Sequence, residues 1–134
     1  MREELAGSRF GRRSTIWLTN ADGEACLVGY SARERMTDGT WNILLMAVCP
    51  TVQGRGHGGL LLRTIETELR RRDARVVLVE TSGLDAFART RSFYRECGYE
   101  QEARIREFYA AGEDKIVFRK ALADQLPQRQ GTEA

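Results

Sequence analysis

The sequence predicts an α/β fold, a mixed, mainly antiparallel central sheet with one parallel strand–helix–strand crossover. Three observations carry that prediction. Short apolar and β-branched runs separated by Asp-Gly turns fill the first part of the chain. One amphipathic helical pattern then stands between two apolar strands, and a second helical pattern leads into a closing hairpin.

In chain order, STIWLT at 14–19 is rich in β-branched and apolar residues and ends at NADGE (20–24), whose Asp22-Gly23 pair favours a hairpin. A second strand follows over about 25–33, TDG at 37–39 marks the next turn, and WNILLMAV at 41–48 is a third strand. That strand is apolar almost throughout, so it is expected to be covered on both faces. Leu61, Leu62, Ile65 and Leu69 then recur at helical spacing, with Glu66 and Glu68 mid-helix and Arg70, Arg71 and Arg72 closing an amphipathic helix of about four turns. RVVLVE at 75–80 is a short buried strand, and strand, helix, strand in this order implies a right-handed crossover with 41–48 parallel to 75–80. A second helix runs from about Asp85, a capping residue type, to Cys97, with Ala86, Thr90, Phe93 and Cys97 on one stripe and Gly98 as a left-handed stop. Tyr99 to about Tyr109, a turn at 110–114 and a strand at 115–120 form the hairpin. The folded domain is expected over 14–122, with 1–13 an N-terminal extension and 123–134 a frayed tail.

With 134 residues, 42% hydrophobic and 30% charged, the chain has the composition of one soluble domain, and no apolar run approaches the roughly 20 residues of a membrane span. The start, MREELAGSRFGRR, has no apolar leader, and the odd set Cys26, Cys49 and Cys97 favours a reducing cytoplasm. A net charge of +2, from 21 basic and 19 acidic residues spread along the chain, gives no nucleic-acid footprint but tolerates an anionic small molecule. His57 is the single histidine and the cysteines lack ligand spacing, so no metal centre is expected.

The most informative stretch is VQGRGHGGLLL, 52–62, with Gly54, Gly56, Gly58 and Gly59 directly before the first helix. Glycine in a helix costs roughly 1 kcal/mol relative to alanine, so Gly58 and Gly59 weaken the turn that should start it. Bare backbone at a helix amino terminus, with the dipole behind it, suits a phosphate. No acidic residue occurs between Pro50 and Ile65 to occupy that positive end, and Arg55 can add charge. The carboxyl ends of the parallel strands share this edge, where ligands of α/β sheets collect. Gly54-x-Gly56-x-x-Gly59 also satisfies the dinucleotide pattern, with Glu80 ending the next strand. Against that reading, five residues separate strand 41–48 from Gly54, and the chain has no second mononucleotide half.

MAVCPTVQGRGHGGLL, 46–61, closely resembles the acetyl-CoA signature of the GNAT superfamily of N-acyltransferases, with Gln53-Gly54-Arg55-Gly56-His57-Gly58 at its core, and SFYRECGY at 92–99 is similar to a second family segment. The resemblance covers roughly 14–122. It implies a GNAT-like sheet, amides of Gly54 to Gly59 around the CoA pyrophosphate, a splay between 41–48 and 75–80, and pantetheine contacts to backbone at Met46, Ala47 and Val48. It further implies an acetyl-CoA-dependent N-acetyltransferase that passes the acetyl group directly to a small-molecule or peptide primary amine, with Tyr94 at the family's acid position. Tyr94 can also be simple helix-stripe packing. His57 is expected to face solvent within the cofactor loop and to have no catalytic part, and Cys49 to be a packing residue.

The chain departs from the family pattern in three places. Strand 41–48 carries no carboxylate, which leaves Glu80, at the carboxyl end of the neighbouring strand, as the best remaining candidate base, with burial at the sheet edge expected to suit it to that task; equally, it caps the next turn or pairs with an arginine, and an ordered water does the work. Phe87 stands where the family often has an asparagine, with Arg89 and Arg91 as substitute phosphate contacts. The family's opening strand and two helices have no counterpart, which suggests an open acceptor groove or a covering second subunit, hence a homodimer. A CoA-binding module without turnover is the alternative function.

Overall fold

A computed structural model describes residues 13–19, 25–49 and 56–122. Six strands form one sheet: β1 (Arg13–Thr19), β2 (Ala25–Arg33), β3 (Thr40–Val48), β4 (Val76–Ser82), β5 (Glu100–Ala110) and β6 (Glu113–Ala121), in the order β1-β2-β3-β4-β6-β5. Helix α1 (His57–Arg71) joins β3 to β4, and a 3-10 turn at Asp85–Phe87 leads into α2 (Ala88–Glu96). Among the described residues only β3 and β4 pair in parallel; every other pair is antiparallel. The mixed sheet with its single crossover is the architecture expected from the sequence. The Asp22-Gly23 turn, Pro50–Arg55 and the tail 123–134 lie outside the described residues.

Both helices cover one face. Leu61, Leu62, Ile65 and Leu69 of α1 are fully buried against Val77 and Val79 of β4, Ile116 and Phe118 of β6, and Trp41 and Ile43 of β3. From α2, Phe93, Tyr94 and Cys97 join the same core, and Gly98 at φ 94° ends that helix in the left-handed region. Asp85 makes no side-chain cap, because the chain turns there through a 3-10 segment, and this swings Ala86 off the expected stripe into solvent. At the other end of α1, Arg70 and Arg71 occupy the last turn, where cations complement the dipole.

The expectation that 41–48 is covered on both faces is wrong for its second half. Trp41, Asn42 and Ile43 are buried, but Leu44 and Leu45 are 53% and 50% exposed. The register supplies the reason. Tyr30 pairs with Leu45 and Ser31 with Ile43, so Leu44 is an extra residue, a bulge. Bulges bend a strand and increase its twist, and here the bend coincides with the end of the β4 ladder, which runs only from Thr40↔Val76 to Ile43↔Val79. Beyond Ile43, β3 leaves β4, and the sheet face opposite the helices carries no covering element among the described residues.

Candidate active site

The splay between β3 and β4 opens beside the amino end of α1. Gly56 caps that helix at φ 81°, a backbone shape that favours glycine, and offers no side-chain cap; no acidic residue occupies the first turn. Leu60 N–H donates to the Gly56 carbonyl at 3.2 Å, which starts the helical ladder. The N–H groups of His57, Gly58 and Gly59 therefore precede the first intrahelical donor, Leu60 N–H, and carry the positive end of the dipole. A side chain at Gly58 would place its Cβ 3.4 Å from the Phe93 ring, so glycine there keeps the space between α1 and α2 open.

A cleft of about 520 Å³ occupies this position, lined by Met46 and Val48 of β3, by Gly56, Gly58 and Gly59, and by Arg89, Thr90, Phe93 and Tyr94 at α2. It joins the exposed N–H groups at the α1 amino terminus to the apolar side chains of Met46, Val48 and Phe93. That donor set fits a phosphorylated carrier with an uncharged arm. Ala47 alternates to the opposite face, where its side chain is exposed, so only its backbone borders the splay. Gln53, Gly54 and Arg55 lie outside the described residues. His57 departs from the expected solvent-facing position: as the first residue of α1 it is partly buried, and both ring nitrogens are covered and lack a hydrogen-bond partner. Of the two arginines considered for phosphate, Arg89 lines the cleft, whereas Arg91 Nη1 donates to the carbonyls of Ser82 and Leu84 at 2.7 and 2.8 Å and ties α2 to the end of β4.

Tyr94 reaches the cleft from α2, its ring packed on Phe93, Tyr99 and Phe118 at centroid distances of 5.4, 6.0 and 5.8 Å. Burial, and secondarily the Cys97 thiol, push its phenol above the ordinary tyrosine value, so the hydroxyl is held protonated. Packing and chemistry are thus both open to this one side chain.

Glu80 lies on the other face. Val77 and Val79 point into the helix-side core, and Glu80 alternates away from them as the first β4 residue past the last β3 pairing. It is neither buried nor paired with an arginine, as the sequence suggested it could be. Lys115 Nζ sits 3.3 Å from its Oε1, and Asn42 Nδ2 donates to its Oε2 at 2.9 Å. The same amide nitrogen donates to Glu34 at 3.1 Å, while Asn42 Oδ1 is buried without a partner. Phe108 places its ring 3.9 Å from Lys115 Nζ, and Tyr109 is near enough that Glu80, after burial, raises its phenol.

Sequence reasoning missed a second polar cluster that anchors α1. Glu66 is 3% exposed, accepts from Tyr99 Oη at 2.7 Å, and pairs with Lys120 Nζ at 3.1 Å. Lys120 also donates to the Cys97 carbonyl at 2.9 Å. Burial and the Glu66 carboxylate hold the Tyr99 phenol far above its ordinary value. Its signal was present: Glu66 falls four residues after Leu62 and three before Leu69, on the buried stripe itself.

A family model for the acetyltransferase (GNAT) domain matches residues 12–101. Among solved structures, a GNAT-family protein from Desulfovibrio desulfuricans is similar with a TM-score of 0.80 and 32% identity, covering 84% of this chain and 70% of that one. A ribosomal-protein alanine N-acetyltransferase from Escherichia coli has a TM-score of 0.75 at 19% identity, over 92% and 77% of the two chains. A Bacillus subtilis acetyltransferase in complex with CoA has a TM-score of 0.77 at 14% identity, over 90% and 99%. The last two show the shared fold. A comparison with curated protein sequences finds no match. With the single crossover, the splayed parallel pair and the bare helix terminus all in place, the chain belongs to the GNAT acetyltransferase family.

Proposed function

We propose that the protein is an N-acetyltransferase that moves an acetyl group from acetyl-CoA to a primary amine by direct attack in a ternary complex. One observation carries the reading: the cleft runs from the α1 amino terminus to Tyr94 along Met46 and Val48, the part of β3 that no longer pairs with β4, and Glu80 is the first β4 residue past the last β3 pairing. Donor and acceptor then approach from opposite sides of the sheet.

When bound, acetyl-CoA supplies an activated thioester. The amides of His57, Gly58 and Gly59 hold its pyrophosphate, and Arg89 adds positive charge at the mouth. Backbone at Met46, Ala47 and Val48 meets the pantetheine arm along the edge that β4 has vacated. Glu80 takes a proton from the acceptor ammonium, and the freed amine attacks the thioester carbonyl. The Tyr94 hydroxyl, kept protonated by burial, gives its proton to the departing thiolate. Asn42 orients Glu80 through its 2.9 Å bond.

Calorimetric titration with acetyl-CoA, CoA and NAD tests the first half of the proposal, with Gly56→Glu as control, because its Cβ meets nothing within 4 Å and it projects a carboxylate at the α1 amino terminus; circular dichroism checks its fold, since φ 81° strains any residue but glycine. Acetyl-CoA binding that the variant abolishes is the expected result. Binding of NAD alone would return the loop to dinucleotide recognition. The acceptor is a small-molecule or peptide amine, and a homodimer remains the proposed assembly, tested by light scattering.

A further inference from the structure

Lysine occurs at only two positions, 115 and 120, among the 21 basic residues of the chain. Both ammonium groups are engaged, but in different settings. Lys120 faces the helices and is held by the buried Glu66 and the Cys97 carbonyl. Lys115 stands on the open face, its side chain 12% exposed, with Nζ 3.3 Å from Glu80 and 3.9 Å from the Phe108 ring centroid. A carboxylate and an aromatic face are the two partners that an incoming acceptor ammonium would seek. The chain's own amine already occupies them, beside the first β4 residue past the last β3 pairing.

We infer that Lys115 is a self-acetylation site: without an acceptor, its Nζ takes the acetyl group from acetyl-CoA bound to the same chain. The inference rests on the proposed function. The Lys115 ammonium passes one proton to Glu80, the freed Nζ lone pair attacks the thioester carbonyl, and an N–C bond forms as the C–S bond breaks. The thiolate takes its proton from the Tyr94 hydroxyl, and the second nitrogen proton returns to Tyr94. Glu80 then releases its proton to solvent, so the products are one amide, one free thiol and one proton. Acetylation removes the cation from Glu80. Enclosure of Lys115 makes delivery within one chain the favoured route.

The full chain is incubated with acetyl-CoA alone, and the acetylated positions are mapped by peptide mass spectrometry over a range of protein concentrations. The expected result is acetyl on Lys115 and not on Lys120, at a rate per chain that does not change with protein concentration. Glu80→Gln should slow it by about a hundredfold, the order of a general-base contribution. Gly56→Glu should abolish it. Circular dichroism checks that each variant is folded, and either variant alone suffices for the test. An unmodified Lys115, equal labelling of Lys120, labelling that survives Gly56→Glu, or a per-chain rate that rises with concentration overturns the inference. Calorimetry separates the two levels: if acetyl-CoA binds and Lys115 stays unmodified, this inference alone falls, whereas absence of binding removes the proposed function with it.

Discussion

Gly29 of β2 lies directly under α1, and replacing it with alanine tests how tightly that helix is seated. The new Cβ would lie 2.5 Å from Ile65 Cδ1, 3.2 Å from Ile65 Cγ1 and 3.5 Å from Leu61 Cδ1. The first distance is far inside van der Waals contact. Because the clash falls on a side-chain end rather than on backbone, Ile65 can answer by rotating, but it is 1% exposed, and in a close-packed core such a rotation displaces its neighbours. Overpacking of this kind costs about 1–3 kcal/mol, offset in part by the roughly 0.5–1 kcal/mol that glycine costs in a strand interior. A net loss of about 1–2 kcal/mol in urea unfolding is expected. Ile65→Val removes Cδ1, costs about 1 kcal/mol alone, and should take away most of the Gly29→Ala penalty when the two are combined. The cycle should also register at the site, since lifting α1 moves the amides at its amino end and weakens acetyl-CoA binding. Strict additivity of the two substitutions, or a fully stable Gly29→Ala protein, would refute the idea that this glycine sets the height of α1.

Four further outcomes follow from the same geometry. Glu80→Gln and Tyr94→Phe should each retain acetyl-CoA affinity by calorimetry and lose about 10²–10⁴ in kcat with a reactive amine; unchanged turnover in both would remove their assigned roles. Lys120→Met leaves a buried carboxylate with one hydroxyl donor and should cost about 3 kcal/mol, more than Tyr99→Phe at about 2 kcal/mol, as read by chemical unfolding. Because the folded Tyr99 phenol titrates above its unfolded value, its stabilisation is complete below about pH 10 and declines as pH rises beyond that. Alkaline melts should therefore fall more steeply for the parent than for Tyr99→Phe. Asp114 has the opposite sign: the Glu107 amide and then Arg104 depress it, so its contribution is present above roughly pH 4 and disappears in acid, loosening the β5–β6 hairpin as seen by amide exchange.

Local chemistry was legible in the chain itself. Alternation, turn residues and helical spacing are properties of neighbours in sequence, so the strands, both helices, the single crossover and the glycine stop after α2 could be read without coordinates. The bare helix start was legible for the same reason, since glycines and the lack of acidic residues are local features. What depended on partners distant in sequence was not. Glu80 met Lys115 and Asn42, rather than an arginine, because β6 inserts between β4 and β5 and brings position 115 to the end of β4. The exposed half of β3 begins at one extra residue, Leu44, whose bulge appears only when β2 is laid beside it, and the β4 ladder ends at the same point. Composition could announce an apolar strand at 41–48; whether a second layer covers it is decided by where the sheet's neighbours end.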